Sequence, residues 1–193
     1  MAMTLFLYQL SHQVFQTVFV IYTNQRFHWS NSMVGAALAT VGILNVIVQG
    51  GMIRPAMKRF GERILVFVGL TGGILGFASY SFAWSGEIFF ACTILFALMG
   101  FFNASIQGIM SKQLESNEQG QLSGANSSLN GIAGMIGPLL FTTVSRWTIK
   151  PESRFYFPGA PFALAAAILM TALALAIIFV PKTSKTVAQP VQE

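Results

Sequence analysis

Gln9, His12, Gln13 and Gln16 are spaced three and four residues apart in a stretch that is otherwise almost wholly apolar. On a helix this spacing gathers the amides on one face, because residues i, i+3 or i+4, and i+7 lie above one another. Amides surrounded by hydrocarbon are costly unless water or a partner reaches them. The face has two readings: the wall of a polar substrate pathway, or a set of hydrogen bonds between helices, worth about 0.6 kcal/mol per contact on average. Asn45 with Gln49, and Asn103 with Gln107, repeat the device at i, i+4, and Asn126 and Asn130 add a further polar pair. Histidine is the side chain whose unperturbed pKa lies near neutrality, so His12 could relay protons. No carboxylate shares its stretch, and a neutral hydrogen-bonding imidazole is the alternative.

Other chemistries find little support. One cysteine, Cys92, and two separated histidines, His12 and His28, offer no metal-ligand spacing. Cys92 reads as a small packing residue, and His28 as an interfacial residue beside Phe27 and Trp29. Ser123 lies in Gly-x-x-Ser-Gly, not Gly-x-Ser-Gly, and no histidine follows it, which argues against an intramembrane serine protease. There is no Walker-type phosphate loop. The net charge of +5 is not collected into one basic face, so nucleic acid is not an expected partner. No catalytic residue, metal or cofactor is expected, and the chain does not read as an enzyme.

The elements that must hold these residues are six apolar stretches, each close to the ~20 residues a helix needs to cross a bilayer. They run from Met3 to Thr23, Met33 to Ile53, Ile64 to Ala83, Ile88 to Met110, Leu122 to Val144 and Gly159 to Val180. Only 9% of residues are charged and 54% are hydrophobic, so a soluble domain with charged helix faces is excluded. Continuous apolar runs such as Ile168 to Val180 exclude the alternation of a membrane barrel. The expected fold class is all-α: a polytopic membrane protein whose residues 1–181 form a six-span bundle, with 182–193 as a disordered tail. Met1 to Thr4 carries no basic side chain, so the first span is expected to be retained, not cleaved as a signal peptide.

Cations sort by loop. Arg54, Lys58, Arg59, Arg63, Lys112, Lys182 and Lys185 fall on one side, and the smaller set Arg26, Arg146, Lys150 and Arg154 on the other. The positive-inside rule then places both termini in the cytoplasm. Polar residues recur in the first, second, fourth and fifth spans, whereas the third and sixth have little beyond Gly, Ser and Thr. Spans 1 and 4, 2 and 5, and 3 and 6 correspond, the pattern of two three-helix repeats of inverted topology. In the fifth span Gly131, Gly134, Gly137 and Pro138 suggest a closely packed, kinked helix that could act as a gate.

Several segments carry a resemblance: Arg26-Phe-His-Trp29, Val34-Gly35, Gly42-Ile-Leu44, Phe60-Gly-Glu-Arg63, Gln107-Gly108, Gln119-Gly-Gln-Leu122 and Ile136-Gly-Pro-Leu-Leu-Phe141. In this order the chain resembles the C-terminal six-helix half of a major facilitator superfamily transporter, closest to the tetracycline-exporter branch of drug/proton antiporters. Arg54, Lys58, Arg59, Gly61 and Arg63 look like a degenerate copy of that superfamily's cytoplasmic loop motif. The resemblance implies an integral protein of the bacterial inner membrane. It implies that spans 1 and 4 line a cavity with Gln9, His12, Gln13, Gln16, Asn103 and Gln107. Spans 2 and 5 would place Asn45, Gln49, Asn126, Asn130, Gly134, Gly137 and Pro138 at an interface or gate. The implied partners are the lipid bilayer, an N-terminal six-helix half or a second copy, a small-molecule substrate and protons. The chain departs from that branch at Asn45, where a histidine is expected, and at Gly73, where an acidic residue is expected. The main proton carrier is therefore expected on the other half. A transport-inactive truncated half or regulatory fragment, and a six-span homodimeric carrier, are the alternative readings.

Overall fold

The computed structural model describes residues 1–149 and 156–180, and among these all regular structure is helical. The tail 182–193, with Lys150 and Arg154, lies outside the described residues. Helix α1 spans Ala2–Phe27, α2 Asn31–Val46, α3 Ile53–Phe82, α4 Gly86–Ala97, α5 Gly100–Ser111, α6 Gln119–Thr148 and α7 Ala160–Phe179. Among the described residues, four helical stretches are long and apolar enough to cross a membrane: Asn31–Phe82, Gly86–Ser111, Gln119–Thr148 and Ala160–Phe179. The 26-residue α1 is not one of them, because the amides along one face dilute its apolar content. Serine hydroxyls start two of the helices. Ser30 Oγ accepts from Met33 N, and Ser85 Oγ from Ile88 N, each at 3.4 Å, so one otherwise orphaned N–H is satisfied at each start.

Three irregularities depart from six plain spans. Between α2 and α3 the backbone is π-helical over Ile47–Met52. Pro55 explains this: it cannot donate to the carbonyl four residues earlier, and its ring crowds that carbonyl, so a widened turn beside Gly50 and Gly51 relieves both. Second, the segment read as a loop over residues 54–63 stays helical to Phe60 and breaks at Gly61, with φ 79° and ψ 157°. Third, the span expected over residues 88–110 is divided at Leu98 and Met99, where the bonds tighten to i, i+3, as in Met99 N to Phe96 O at 2.9 Å.

Close approach is set by small residues. Gly69, Gly72 and Gly76 on α3 receive Phe102, Leu98 and Phe96 so closely that a Cβ on any of them would meet these residues at under 3 Å. Gly73 faces Leu169 of α7 and Met99. On α7, Ala165, Ala166, Leu169, Ala172 and Ala176 form the buried stripe. Such stripes let helices pack by van der Waals contact where lipid supplies no hydrophobic driving force. α1 packs against α6 and α7, and α3 against α4, α5 and α7. Between them lies an aromatic core: Phe15 stacks on Phe96 with ring centroids 4.9 Å apart, Tyr80 on Phe89 at 4.1 Å, and Tyr8 on Phe102 at 4.3 Å.

Polar groups tie the bundle at both ends. The Tyr22 hydroxyl donates to Tyr80 O at 2.6 Å and Arg26 Nε to Ala83 O at 3.3 Å, so α1 satisfies carbonyls at the C-terminal end of α3. Ser81 Oγ donates to Gly159 O at 2.9 Å and fixes the start of α7. At the opposite end, Lys112 Nζ meets the largely buried Glu62 Oε1 at 2.9 Å, which joins the Gly61 bend to the end of α5.

Candidate substrate groove

A polar seam follows α1 and α6. Its first part is a cavity of about 520 Å³ lined by Gln9 of α1, Gln107, Gly108 and Ser111 of α5, and Gln119, Leu122, Ser123, Asn126, Ser127 and Asn130 of α6. A second cavity, about 460 Å³, adjoins it at Asn130 and is lined by Gln13, Gln16, Thr17, Gly134 and Pro138 as well. A third, of about 510 Å³, lies toward the far ends of the same helices, between Val18, Ile21 and Gln25 on one side and Thr142, Ser145, Arg146 and Ile149 on the other. The spacing that put Gln9, Gln13 and Gln16 on one face of α1 puts that face against α6.

Hydrogen bonds preset part of the wall. Gln107 Nε2 donates to Asn103 Oδ1 at 2.9 Å, one turn back, which holds both side chains along α5. Ser111 Oγ donates to Gln119 Oε1 at 2.9 Å while Gln119 Nε2 donates to Ser111 O at 3.0 Å, so the end of the cavity between α5 and α6 is closed by a reciprocal pair. Asn126 Oδ1 is buried without a hydrogen-bond partner.

The structure thus brings together Gln9, Gln107, Asn126 and Asn130, and next to them Gln13, Gln16, Gly134 and Pro138. Asn126 and Asn130, expected with an interface, share their cavity with the amides expected to line one. His12 lies beside the seam, stacked between Tyr8 and Phe96 with ring centroids 6.3 Å from each. Asn45 and Gln49 are elsewhere: Asn45 Nδ2 donates to Val41 O at 3.0 Å, Gln49 Nε2 to Asn45 Oδ1 at 3.4 Å, and both pack toward Gly100 at the α4–α5 joint. Of the loop-motif residues, Arg54, Lys58 and Arg59 lie on the helical turns before Gly61. Arg63 follows it, with its guanidinium 5.5 Å from the centroid of the Phe67 ring. Sequence reasoning missed Ser111, Gln119, Ser123 and Ser127 as wall residues. The signal for Gln119, Ser123 and Ser127 was the three- and four-residue spacing that runs back from Asn130 through Ser127 and Ser123 to Gln119, and for Ser111 its place four residues after Gln107.

Gly137 decides how tightly the seam closes. A Cβ there would run into Cβ and Cγ of Gln13. Gly137→Val should therefore push α6 off α1 and cost about 1–3 kcal/mol, the usual range for overpacking. Thermal unfolding in detergent checks this, with Gly131→Val as control, because a Cβ at Gly131 meets nothing within 4 Å. Equal stability of the two variants would contradict the packing described.

With this arrangement of helices, the model of the Major Facilitator Superfamily matches residues 1–193. The chain belongs to the major facilitator superfamily. It is 36% identical over 168 residues to the tetracycline resistance protein, class C, of Escherichia coli, an alignment covering 87% of this chain and 41% of that protein. The class H protein of Pasteurella multocida is 28% identical, over 94% of this chain and 44% of its own length. Hippocampus abundant transcript-like protein 1 of Bos taurus is 25% identical, over 94% and 39%. The chain thus spans about two fifths of the length of the curated relatives it matches. As a superfamily member with helices of membrane-crossing length and apolarity, it is an integral membrane protein. At the two positions where it departs from the exporter-like pattern, this superfamily chain has Asn45 bonded within α2 and Gly73 pressed against Leu169 and Met99. A side chain at Gly73 would require the end of Leu169 and the Met99 side chain to move aside.

Proposed function

We propose that the chain is a six-span half of a proton-coupled efflux transporter that exports small amphipathic, drug-like compounds from the cytoplasm of a bacterium. The observation that carries the reading is the polar seam between α1, α5 and α6, in a chain of the major facilitator superfamily whose relatives include tetracycline resistance proteins. In this proposal Asn31–Phe82 crosses the membrane twice with its bend at Gly61, the helices form two inverted three-helix repeats, and both termini face the cytoplasm. Asn31–Phe82 and Gln119–Thr148 have the smallest buried shares of their apolar windows, and α2 and α6 within them carry exposed apolar side chains such as Ile43, Val46, Met135 and Leu139. These faces suit a second six-span half, on the same polypeptide or on another copy. Alternating access then follows from rocking the two halves about the seam.

Energised inverted membrane vesicles bearing the native polypeptide should accumulate tetracycline or a lipophilic dye, and a protonophore should abolish the uptake. Vesicles that accumulate neither, with the polypeptide present in them, would refute the reading. The mass of that polypeptide separates its forms: near twice 21.0 kDa if both halves are joined, near 21.0 kDa if copies of this chain pair. His12 stands between aromatic rings beside the seam, and the proton carrier is assigned to the other half. His12→Ala should therefore retain proton-driven uptake within a few-fold. Loss of that uptake with substrate binding intact would move the carrier to His12.

A further inference from the structure

Small-molecule sites are usually walled by apolar and aromatic side chains, with a few polar groups to orient the ligand. The 520 Å³ cavity inverts that proportion. Gln9, Gln107, Asn126, Asn130, Ser123 and Ser127 face it, Leu122 is its one large apolar side chain, and among the described residues no charged or aromatic side chain lines it. Such a wall discriminates by what it leaves unpaired. An apolar surface laid against it strips amides of partners, and each buried group so stranded costs about 1–3 kcal/mol. A charge laid against it finds no counter-charge among the lining side chains, and a charge buried without one is costly. A neutral group with several donors and acceptors satisfies the wall and is satisfied by it.

The hydrogen bonds within the chain sharpen this. Gln107 has committed one of its two amide hydrogens to Asn103, and Ser111 and Gln119 have paired with each other, so these groups are oriented and partly committed. Asn126, between Ser123 and Asn130, has an amide oxygen that is buried and accepts nothing. Rotation of that amide offers the oxygen to a ligand donor and relieves the deficit. We infer that the part of the substrate lying against this chain is uncharged and bears several hydroxyl or carboxamide groups, with Asn126 as a specificity-determining contact. The inference rests on the transport reading above and adds to it the chemistry of the transported group. A site built to hydrogen-bond a substrate rejects analogues that lack those groups far more strongly than an apolar pocket can.

Two probes of opposite character test it in energised inverted vesicles bearing the native polypeptide. Umbelliferyl β-glucoside is neutral and carries several hydroxyl donors, whereas tetraphenylphosphonium is a lipophilic cation with none. The glucoside should be accumulated. Asn126→Leu should raise its KM about tenfold, the equivalent of one lost hydrogen bond near the top of the usual range, and Asn126→Gln should recover most of the difference. Accumulation of tetraphenylphosphonium without the glucoside overturns the inference and leaves the transport reading standing, whether or not the variants fold; tetracycline itself bears hydroxyl and carboxamide groups, so its accumulation is compatible with both. An unchanged KM in a well-expressed Asn126→Leu protein removes Asn126 from the assignment. If no probe, tetracycline included, is accumulated, the transport reading fails and the inference fails with it.

Discussion

Replacing Gly159 by alanine should lower the stability of the purified protein by about 3 kcal/mol, the upper part of the range for overpacking, and replacement by valine by more. The reason lies in what the added methyl would meet. A Cβ at Gly159 falls on the carbonyl of Ser81, a backbone group at the end of α3 that cannot swing aside as a side chain can. The same two residues are joined by the hydrogen bond from Ser81 Oγ to Gly159 O, so the methyl also forces that bond open. Beside it, Tyr22 and Arg26 hold the carbonyls of Tyr80 and Ala83, and these contacts bring the ends of α1, α3 and α7 to one point. Ser81→Ala removes only the hydroxyl and should cost about 1 kcal/mol, a typical net hydrogen bond. Thermal unfolding in detergent should rank Gly159→Ala well below Ser81→Ala, and Ser81→Ala slightly below the unchanged protein. If Gly159→Ala unfolds at the temperature of Ser81→Ala or above it, α7 does not dock on α3 through this approach.

Gly159 also shows what could be read from the residues alone. The all-helical membrane class was legible, because apolar runs of bilayer length separated by charged gaps leave few alternatives. So was the polar face of α1, because Gln9, Gln13 and Gln16 keep helical spacing, and spacing alone determines that they share a face. What that face meets was not legible. Nothing in the spacing of Asn126 and Asn130 says that α6 turns them toward Gln9 and Gln107 instead of toward a separate interface, because the rotation of a helix in a bundle is set by the small residues that let it approach its neighbours. Gly137 against Gln13 sets it here. The same holds for the third span, where the spacing of Gly69, Gly72, Gly73 and Gly76 does not say that they receive Phe102, Leu98, Leu169 and Phe96. Helix continuity was misjudged for a different reason. Charge marked residues 54–63 as a loop, but Arg, Lys and Met favour helix nearly as well as alanine, and water at a membrane surface does not by itself end one.

Gly61→Ala should have the second large effect, through backbone strain where Gly159→Ala acts by collision. A continuous helix of 52 residues at 1.5 Å per residue would be about 78 Å long, against a hydrocarbon core of about 30 Å, so Asn31–Phe82 has to bend if both of its ends are to stay near the bilayer. Through Phe60 the chain stays helical, even at the π-helical turn and Pro55, so none of these residues breaks it. Gly61 does, at φ 79° and ψ 157°, a region that residues with a Cβ occupy at a cost of about 1–3 kcal/mol. A Cβ there would meet nothing within 4 Å, so any loss of stability reports the backbone conformation and not crowding. Gly42 supplies the comparison: it is equally uncrowded but lies inside α2, where alanine is the better helix former by about 1 kcal/mol. Gly42→Ala should therefore be neutral or stabilising in the detergent unfolding assay in which Gly61→Ala is destabilising. The loss at Gly61 should extend to Glu62, whose carboxylate reaches Lys112 only because the chain turns at the preceding residue. In the Gly61→Ala background a further Lys112→Met substitution should then cost less than it does in the unchanged protein. Equal costs in the two backgrounds would mean that the bend survives alanine and that its geometry is set by the packing of α3 on α5.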